Sequence, residues 1–215
     1  MSNIQSEFAA FLIDSKVINF GEFKLKSGRV SPYFFNFGQL SSARLLNETA
    51  HYYARFLYEH KLRPDVIFGP AYKGIPLGVA TALSLQRDFA YNVQFSFNRK
   101  EVKSYGDGGF LVGSQLQKAC VVIIDDVITS GITIDDSVKL VVENGGQVKS
   151  YLVALDRQER SFDCGKSAIQ DAEERLGLNI FSITNIQHIL AHLTTIPNSQ
   201  SNVESILNYL KKYGV

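Results

Sequence analysis

The apolar positions change period several times along the chain, and each change marks an element. Ile4, Phe8, Phe11 and Leu12 fall on one face of a helix over residues 3–13. Leu46, Ala50, Tyr53 and Leu57, spaced four, three and four, predict a second helix. Between them, residues 20–37 read as extended, with Ser27-Gly28-Arg29 as the turn of a hairpin and Tyr33, Phe34 and Phe35 in its second arm. From Asp65 the order changes to strand, helix, strand. Val66 to Phe68 is a short apolar strand broken by Gly69-Pro70, and Ile75, Val79 and Leu83 mark a helix with Pro76 in its first turn. Val93 to Phe97 alternates as a strand, with Phe110 to Val112 as its hairpin partner beyond a polar, glycine-rich stretch. Val121 to Ile124 is continuously apolar, and Ile134, Val138 and Val141 give a helix that Gly145-Gly146 stops. Val148 to Leu155 is a further buried strand, and Asn179 to Ile183 follows an amphipathic segment carrying Ile169, Ala172 and Leu176. Ser201 and Glu204 have capping-box spacing ahead of Ile206, Leu207 and Leu210, which predicts the last helix.

Strands alternating with helices imply an α/β fold, a mainly parallel sheet flanked by helices on both faces. The first 62 residues lack that order and are expected to form most of a small N-terminal cap or hood over the core, within a single domain spanning residues 1–215. In such sheets ligands bind outside the carboxyl ends of the strands. The loops after Phe68, Phe97, Ile124 and Leu155 are therefore the places to look for chemistry.

Composition narrows the partners. With 22 Lys and Arg against 21 Asp and Glu, the net charge of +1 offers no broad basic surface for nucleic acid. No apolar run reaches the roughly 18 residues of a membrane span. The opening MSNIQSEFAAFLIDS has no basic region before its apolar residues and does not read as a secretion signal, so a cytoplasmic location is expected. Two cysteines, Cys120 and Cys164, make neither a disulfide framework nor a four-ligand zinc site, and Cys120 reads as a core thiol. His188 and His192 share the i, i+4 spacing of a metal pair but lack the adjoining Glu of a zincin motif, and read as an ordinary helix face.

The most informative loop is Asp125-Asp126-Val127-Ile128-Thr129-Ser130-Gly131-Ile132-Thr133, between the apolar strand and the next helix. Residues 129–133 supply hydroxyls, a glycine that permits close backbone approach, and the free N–H groups of a helix start, which together suit a phosphate. Asp125 and Asp126 suit sugar hydroxyls or a nearby cation. An isolated Asp-Asp would simply end a strand, and a lone Thr or Ser would simply cap a helix. The whole string is more specific, and it resembles the phosphoribosyl diphosphate signature of the type I phosphoribosyltransferases.

Three further stretches resemble the orotate phosphoribosyltransferase family of the bacterial type: Lys24 to Arg29 with Ser31 to Asn36, Gly69 to Pro76, and Phe97 to Glu101 with Lys103. The resemblance runs from the first helix to the last. It implies the type I phosphoribosyltransferase fold and transfer of a phosphoribosyl group from 5-phosphoribosyl 1-diphosphate to orotate, with Mg²⁺ held mainly through the diphosphate, in pyrimidine synthesis. By the same resemblance, the phosphoribosyl diphosphate site comprises Tyr72, Lys73, Arg99, Lys100, Lys103, Asp125, Asp126, Val127, Ile128, Thr129, Ser130, Gly131, Ile132 and Thr133. Orotate falls to Lys26, Phe34, Phe35, Thr129 and Arg157, and Lys103 is the catalytic residue. Family members are symmetric homodimers in which the stretch equivalent to residues 99–109 reaches the neighbouring active site. Gly106, Gly108 and Gly109 suit that stretch to act as a lid. One departure stands out: the family commonly has histidine where Tyr105 stands, and a phenol cannot carry positive charge. Two rival readings share the signature, a regulator that has lost catalysis and a purine phosphoribosyltransferase. The first leaves Lys26, Lys103 and Arg157 unexplained, and the second leaves Lys26 and the Phe34-Phe35 pair unexplained.

Overall fold

The alternation of apolar side chains along three central strands sorts the core into two layers. Ile67, Val122, Ile124, Leu152 and Ala154 face one way and pack under helices from both ends of the chain, while Val66, Phe68, Val121, Ile123, Tyr151 and Val153 face the other. A computed structural model describes residues 3–25, 28–103, 109–128, 132–160 and 165–215, with the backbone alone for Val102, Lys103, Gly109, Ile132 and Thr133.

The chain opens with α1 (Ile4–Asp14), a hairpin of β1 (Ile18–Lys24) and β2 (Val30–Phe35), a 3-10 turn at Phe37–Gln39, and α2 (Ala43–Glu59). The repeating core follows as β3 (Val66–Gly69), α3 (Gly74–Phe89), β4 (Gln94–Lys103), β5 (Gly109–Gly113), β6 (Cys120–Ile124), α4 (Ile132–Glu143), β7 (Gln147–Asp156), α5 (Ala168–Leu176) and β8 (Asn179–Asn185). Two helices, α6 (Ile186–Leu193) and α7 (Gln200–Tyr213), end it.

Six strands form one sheet in the order β5-β4-β3-β6-β7-β8, parallel throughout except for β5, which pairs antiparallel with β4 at the edge. β1 and β2 form a separate antiparallel pair, with Phe20 opposite Tyr33 and Lys24 opposite Val30. The central strands are short and apolar because both faces are covered, as parallel sheets require.

Of residues 1–62, Phe8 and Leu12 of α1, Tyr33 and Phe35 of β2, and Tyr53 and Leu57 of α2 all belong to the same core layer as Ile67, Val122 and Leu152, and the β1–β2 hairpin, a sheet of its own, packs against α7. Two expectations change. The buried face of α3 is turned from the expected one, since Leu83 is 65% exposed while Leu77, Gly78, Thr81, Ser84 and Leu85 are buried. Small residues let the helix sit close to β3: a Cβ on Gly78 would lie 3.4 Å from Gly69 Cα. Finally, α7 begins at Gln200, so Ser201 lies inside the first turn instead of capping it. Its cap residue Ser199 spends its hydroxyl on the carbonyls of Leu193 and, at 2.7 Å, Ile196. The full capping box occurs at α5, where Ser167 and Gln170 satisfy each other's backbone N–H groups.

Candidate active site

The carboxyl ends of β3, β6 and β7 lie side by side, and the loop after β3 is pressed against them by glycine. A Cβ on Gly69 would lie 2.1 Å from the carbonyl oxygen of Gly74, and one on Gly74 would lie 2.8 Å from the carbonyl oxygen of Ile124. Only the absence of side chains at both positions allows that fold-back. It carries Pro70 to Lys73 over the end of β6. The Ala71–Tyr72 peptide within it is cis. Asn98 of β4 accepts the Ala71 N–H at 2.9 Å and ties the loop to the neighbouring strand.

Lys73 meets Asp126 as a result, with Nζ 2.6 Å from Oδ2. Tyr72, exposed at the rim, lies under the Lys100 ammonium, 4.7 Å from the ring centroid. Tyr72, Lys73, Lys100 and Asp126 thus converge on one patch. Arg99 sits half-buried between Asn98 and Lys100 on the same strand.

The two aspartates have different partners but stay within reach of each other: Asp126 pairs with Lys73, while a side-chain hydrogen bond and mutual repulsion link the Asp125 carboxyl to that of Asp126. Asp125 is buried. Its Oδ1 accepts the Asp126 N–H at 2.9 Å, and its Oδ2 accepts the Tyr151 hydroxyl at 3.2 Å. From the other layer, the Tyr53 hydroxyl donates to the Asp125 carbonyl at 2.8 Å. Burial, reinforced by the charge of Asp126, pushes the Asp125 carboxyl up to about 7. Burial also holds the Tyr53 and Tyr151 hydroxyls well above their ordinary range, so both remain protonated donors.

Beyond the acid pair, Val127 forms a parallel bridge with Leu155 at the end of β7, and Ile128 packs against the second core layer. Thr129, Ser130 and Gly131 lie outside the described residues, as do the side chains of Ile132 and Thr133. The backbone enters α4 at Ile132.

Arg157 stands two residues past Leu155, beneath the β1–β2 hairpin. Its guanidinium lies 4.2 Å from the Tyr33 ring centroid, and it donates to Glu159 from Nε at 2.8 Å and to the Ser31 hydroxyl from Nη2 at 3.1 Å. Phe34 and Phe35, adjacent on β2, face opposite ways. Phe34 is 39% exposed with its ring against Phe23, whereas Phe35 is 6% exposed and packs on Phe37 in the core. An aromatic wall for a ligand can therefore come from Phe34 but not from both rings. Lys26 lies outside the described residues.

β4 runs as far as Lys103, pairing it with Gly109, so the described arms of the expected lid are a two-stranded ribbon. The Lys103 side chain, Tyr105 and the glycines Gly106 and Gly108 are outside the described residues. Among the described residues no group of three or more His, Cys, Asp and Glu is placed to hold a metal ion, the α6 residues His188 and His192 included. Nor is any described helix long and apolar enough to cross a membrane.

Sequence reasoning missed Tyr53, Tyr151, Asn98 and Glu159. The one phenol in the strand Val148 to Leu155 was the available sign for Tyr151; Tyr53 read only as a member of a helix face.

Comparison with known proteins agrees with this geometry. The family described as "Phosphoribosyl transferase domain" matches residues 39–172. An orotate phosphoribosyltransferase of Polynucleobacter necessarius is 44% identical over 217 residues, covering 98% of this chain and 97% of its own length. One from Pseudoalteromonas translucida is 41% identical, with each chain covered completely. The crystal structure of orotate phosphoribosyltransferase from Francisella tularensis superposes with a TM-score of 0.86 at 32% identity, covering 97% of this chain and 100% of that one. Across its whole length, then, with the signature loop at the end of β6 and the glycine-tight loop at the end of β3, the chain belongs to the orotate phosphoribosyltransferase family, of the type I phosphoribosyltransferases.

Proposed function

We propose that the protein transfers the phosphoribosyl group of 5-phosphoribosyl 1-diphosphate to orotate, giving orotidine 5′-phosphate and diphosphate in pyrimidine synthesis. The observation that carries this reading is the meeting of Lys73 with Asp126 where the loops after β3 and β6 converge, with Tyr72 and Lys100 beside them. A polyanion and a polyol must be held side by side there, and cations and a carboxylate on a rigid strand end do that.

Thr129 to Thr133, at the entry to α4, hold the 5′-phosphate on hydroxyls and free backbone N–H groups. Asp126 receives a ribose hydroxyl and exchanges its bond to Lys73 for one to substrate, which frees the ammonium for diphosphate. Asp125, anchored from below by Tyr151, supports the sugar beside Asp126. Tyr72, Lys73, Arg99 and Lys100 surround the diphosphate, and Lys103 reaches it when the β4–β5 ribbon closes. As the bond between the anomeric carbon and the diphosphate oxygen breaks, negative charge grows on the leaving group and positive charge on the sugar. Preplaced cations stabilise the first, and positioning of the orotate ring nitrogen serves the second. Arg157 takes the orotate carboxylate, with Lys26 and the exposed ring of Phe34 beside the base.

Mg²⁺ supplies charge neutralisation on the diphosphate when bound. The residues fit that role: Asp125 and Asp126 are the carboxylates nearest the diphosphate patch, and two acids are too few to hold the ion without the diphosphate's own oxygens. The stretch of residues 99–109 serves the active site of a second copy in a homodimer, and the protein works in the cytoplasm. Loss of orotate absorbance with phosphoribosyl diphosphate and Mg²⁺ tests the activity. Turnover of adenine or hypoxanthine in place of orotate would overturn the base assignment, and no magnesium-dependent loss with any base would overturn the reaction.

A further inference from the structure

Glu159 joins three elements that are distant in the chain, and the roles assigned above leave it unused. Its Oε1 takes Arg157 Nε at 2.8 Å, Arg157 Nη2 at 2.6 Å and the Tyr33 hydroxyl of β2 at 3.1 Å. Its Oε2 takes the Tyr209 hydroxyl of α7 at 3.0 Å and lies 3.6 Å from Arg29 Nη1. The side chains of Arg29, Arg157 and Glu159 are all nearly nine-tenths buried.

The backbone repeats the tie. Arg160 donates its N–H to Tyr213 at 2.7 Å and its Nε to the Gly214 carbonyl at 2.6 Å, Val215 donates to Gln158 at 3.0 Å, and Glu159 forms an antiparallel bridge with Gly214. The end of α7 is therefore stitched to the loop that follows β7.

An arginine side chain carries many rotamers, and a ligand gains from it in proportion to how few of them remain. Here the Nε and Nη2 edge is occupied by Glu159 and Ser31, while Tyr33 supports the guanidinium plane. Tyr209 of α7 also hydrogen-bonds to the Arg157 side chain, so both Glu159 and its partner tyrosine hold the guanidinium.

We infer that Glu159 is a positioning residue of the base site: it grips the inner edge of Arg157, fixes how the guanidinium meets the substrate carboxylate, and through Tyr209 makes the C-terminal helix part of base recognition. The inference rests on the reading that Arg157 meets the orotate carboxylate.

Steady-state kinetics with each substrate varied in turn separates the roles, using Arg157→Ala, Glu159→Gln and Tyr209→Phe. Glu159→Gln should raise KM for orotate by about tenfold, which corresponds to loss of one good charged hydrogen bond. Tyr209→Phe removes one oxygen from the network and should raise it about threefold. KM for phosphoribosyl diphosphate should stay within about twofold in both. If Arg157→Ala impairs orotate use while the other two variants leave it unchanged, the base site stands and the positioning role falls. If Arg157→Ala itself leaves orotate use unchanged, the base assignment fails and takes the inference with it. Equal losses for both substrates, or a lowered melting temperature with unchanged KM values, would make the cluster a structural staple and overturn the proposal. Should Glu159→Gln fail to fold, Tyr209→Phe decides by the same comparison.

Discussion

Replacing Asp125 with asparagine should remove most activity and yet raise stability, and the gain should depend on pH. In the folded chain the carboxyl is pushed from near 3.8 to about 7, first by burial and then by the charge of Asp126. The native state therefore holds a proton that the unfolded chain releases. For a group shifted in this direction, the stabilising contribution is fully present below the unfolded value, near 4, and is lost as pH rises through the folded value, about 7. A shift of about three units corresponds to about 4 kcal/mol at 1.36 kcal/mol per unit. Coupling to Asp126 and relaxation of the site reduce the usable part to about 2 kcal/mol. Asparagine copies the protonated form: its oxygen can accept the Asp126 N–H now accepted by Oδ1, and its amide can donate to the Tyr151 oxygen. At about 2–4 °C per kcal/mol for a chain of this size, Asp125→Asn should melt about 4–8 °C above the parent at pH 8.5. At pH 4 the two should melt together. Calorimetric or fluorescence melting at pH 4, 6 and 8.5, with turnover measured alongside, provides the check. A variant less stable than the parent at pH 8.5, or a difference that does not change with pH, would show that Asp125 is not strained by its burial and refute the argument.

Other perturbations test the neighbouring loops. Lys73→Ala should leave the melting temperature within about 2 °C, because the lysine is 57% exposed and such pairs contribute under about 1 kcal/mol, while KM for phosphoribosyl diphosphate rises at least about tenfold. Gly69→Ala forces a methyl to 2.1 Å from the Gly74 carbonyl and should destabilise by about 3 kcal/mol, read as a melting temperature about 6–12 °C lower; a normal melt would mean the loop is not clamped. Lys103→Ala should fold normally and lose about 10²–10³ in single-turnover rate, and a change confined to KM would make it a binding residue.

The signature from Asp125 to Thr133 and the glycine-broken strand ends were legible in the chain itself, because local chemistry writes them. A tight turn needs glycine, a phosphate needs free N–H groups, and a buried parallel strand needs an unbroken apolar run. The order of strands and helices was legible for the same reason. What the linear pattern could not settle was which side chain faces which partner. Ile75, Val79 and Leu83 have helical spacing, yet α3 turns its small residues inward, because close approach to β3 outweighs the burial of Leu83. Ser201 and Glu204 have capping spacing, yet α7 starts two residues earlier than a Ser201 cap implies and Ser199 bonds back to the preceding turn. Phe34 and Phe35 look like one aromatic wall until strand alternation assigns them to opposite faces. Most dependent on the fold is the Glu159 cluster, in which Arg29 and Tyr209 meet one carboxylate from near opposite ends of the chain. Sequence spacing carries information about neighbours within a few residues, through the periods 2 and 3.6 of strand and helix. Contacts between Ser31, Arg157 and Tyr209 arise only when β7 ends beneath the hairpin and α7 returns over it, so tertiary packing alone decided that an ordinary glutamate would grip the arginine of the site.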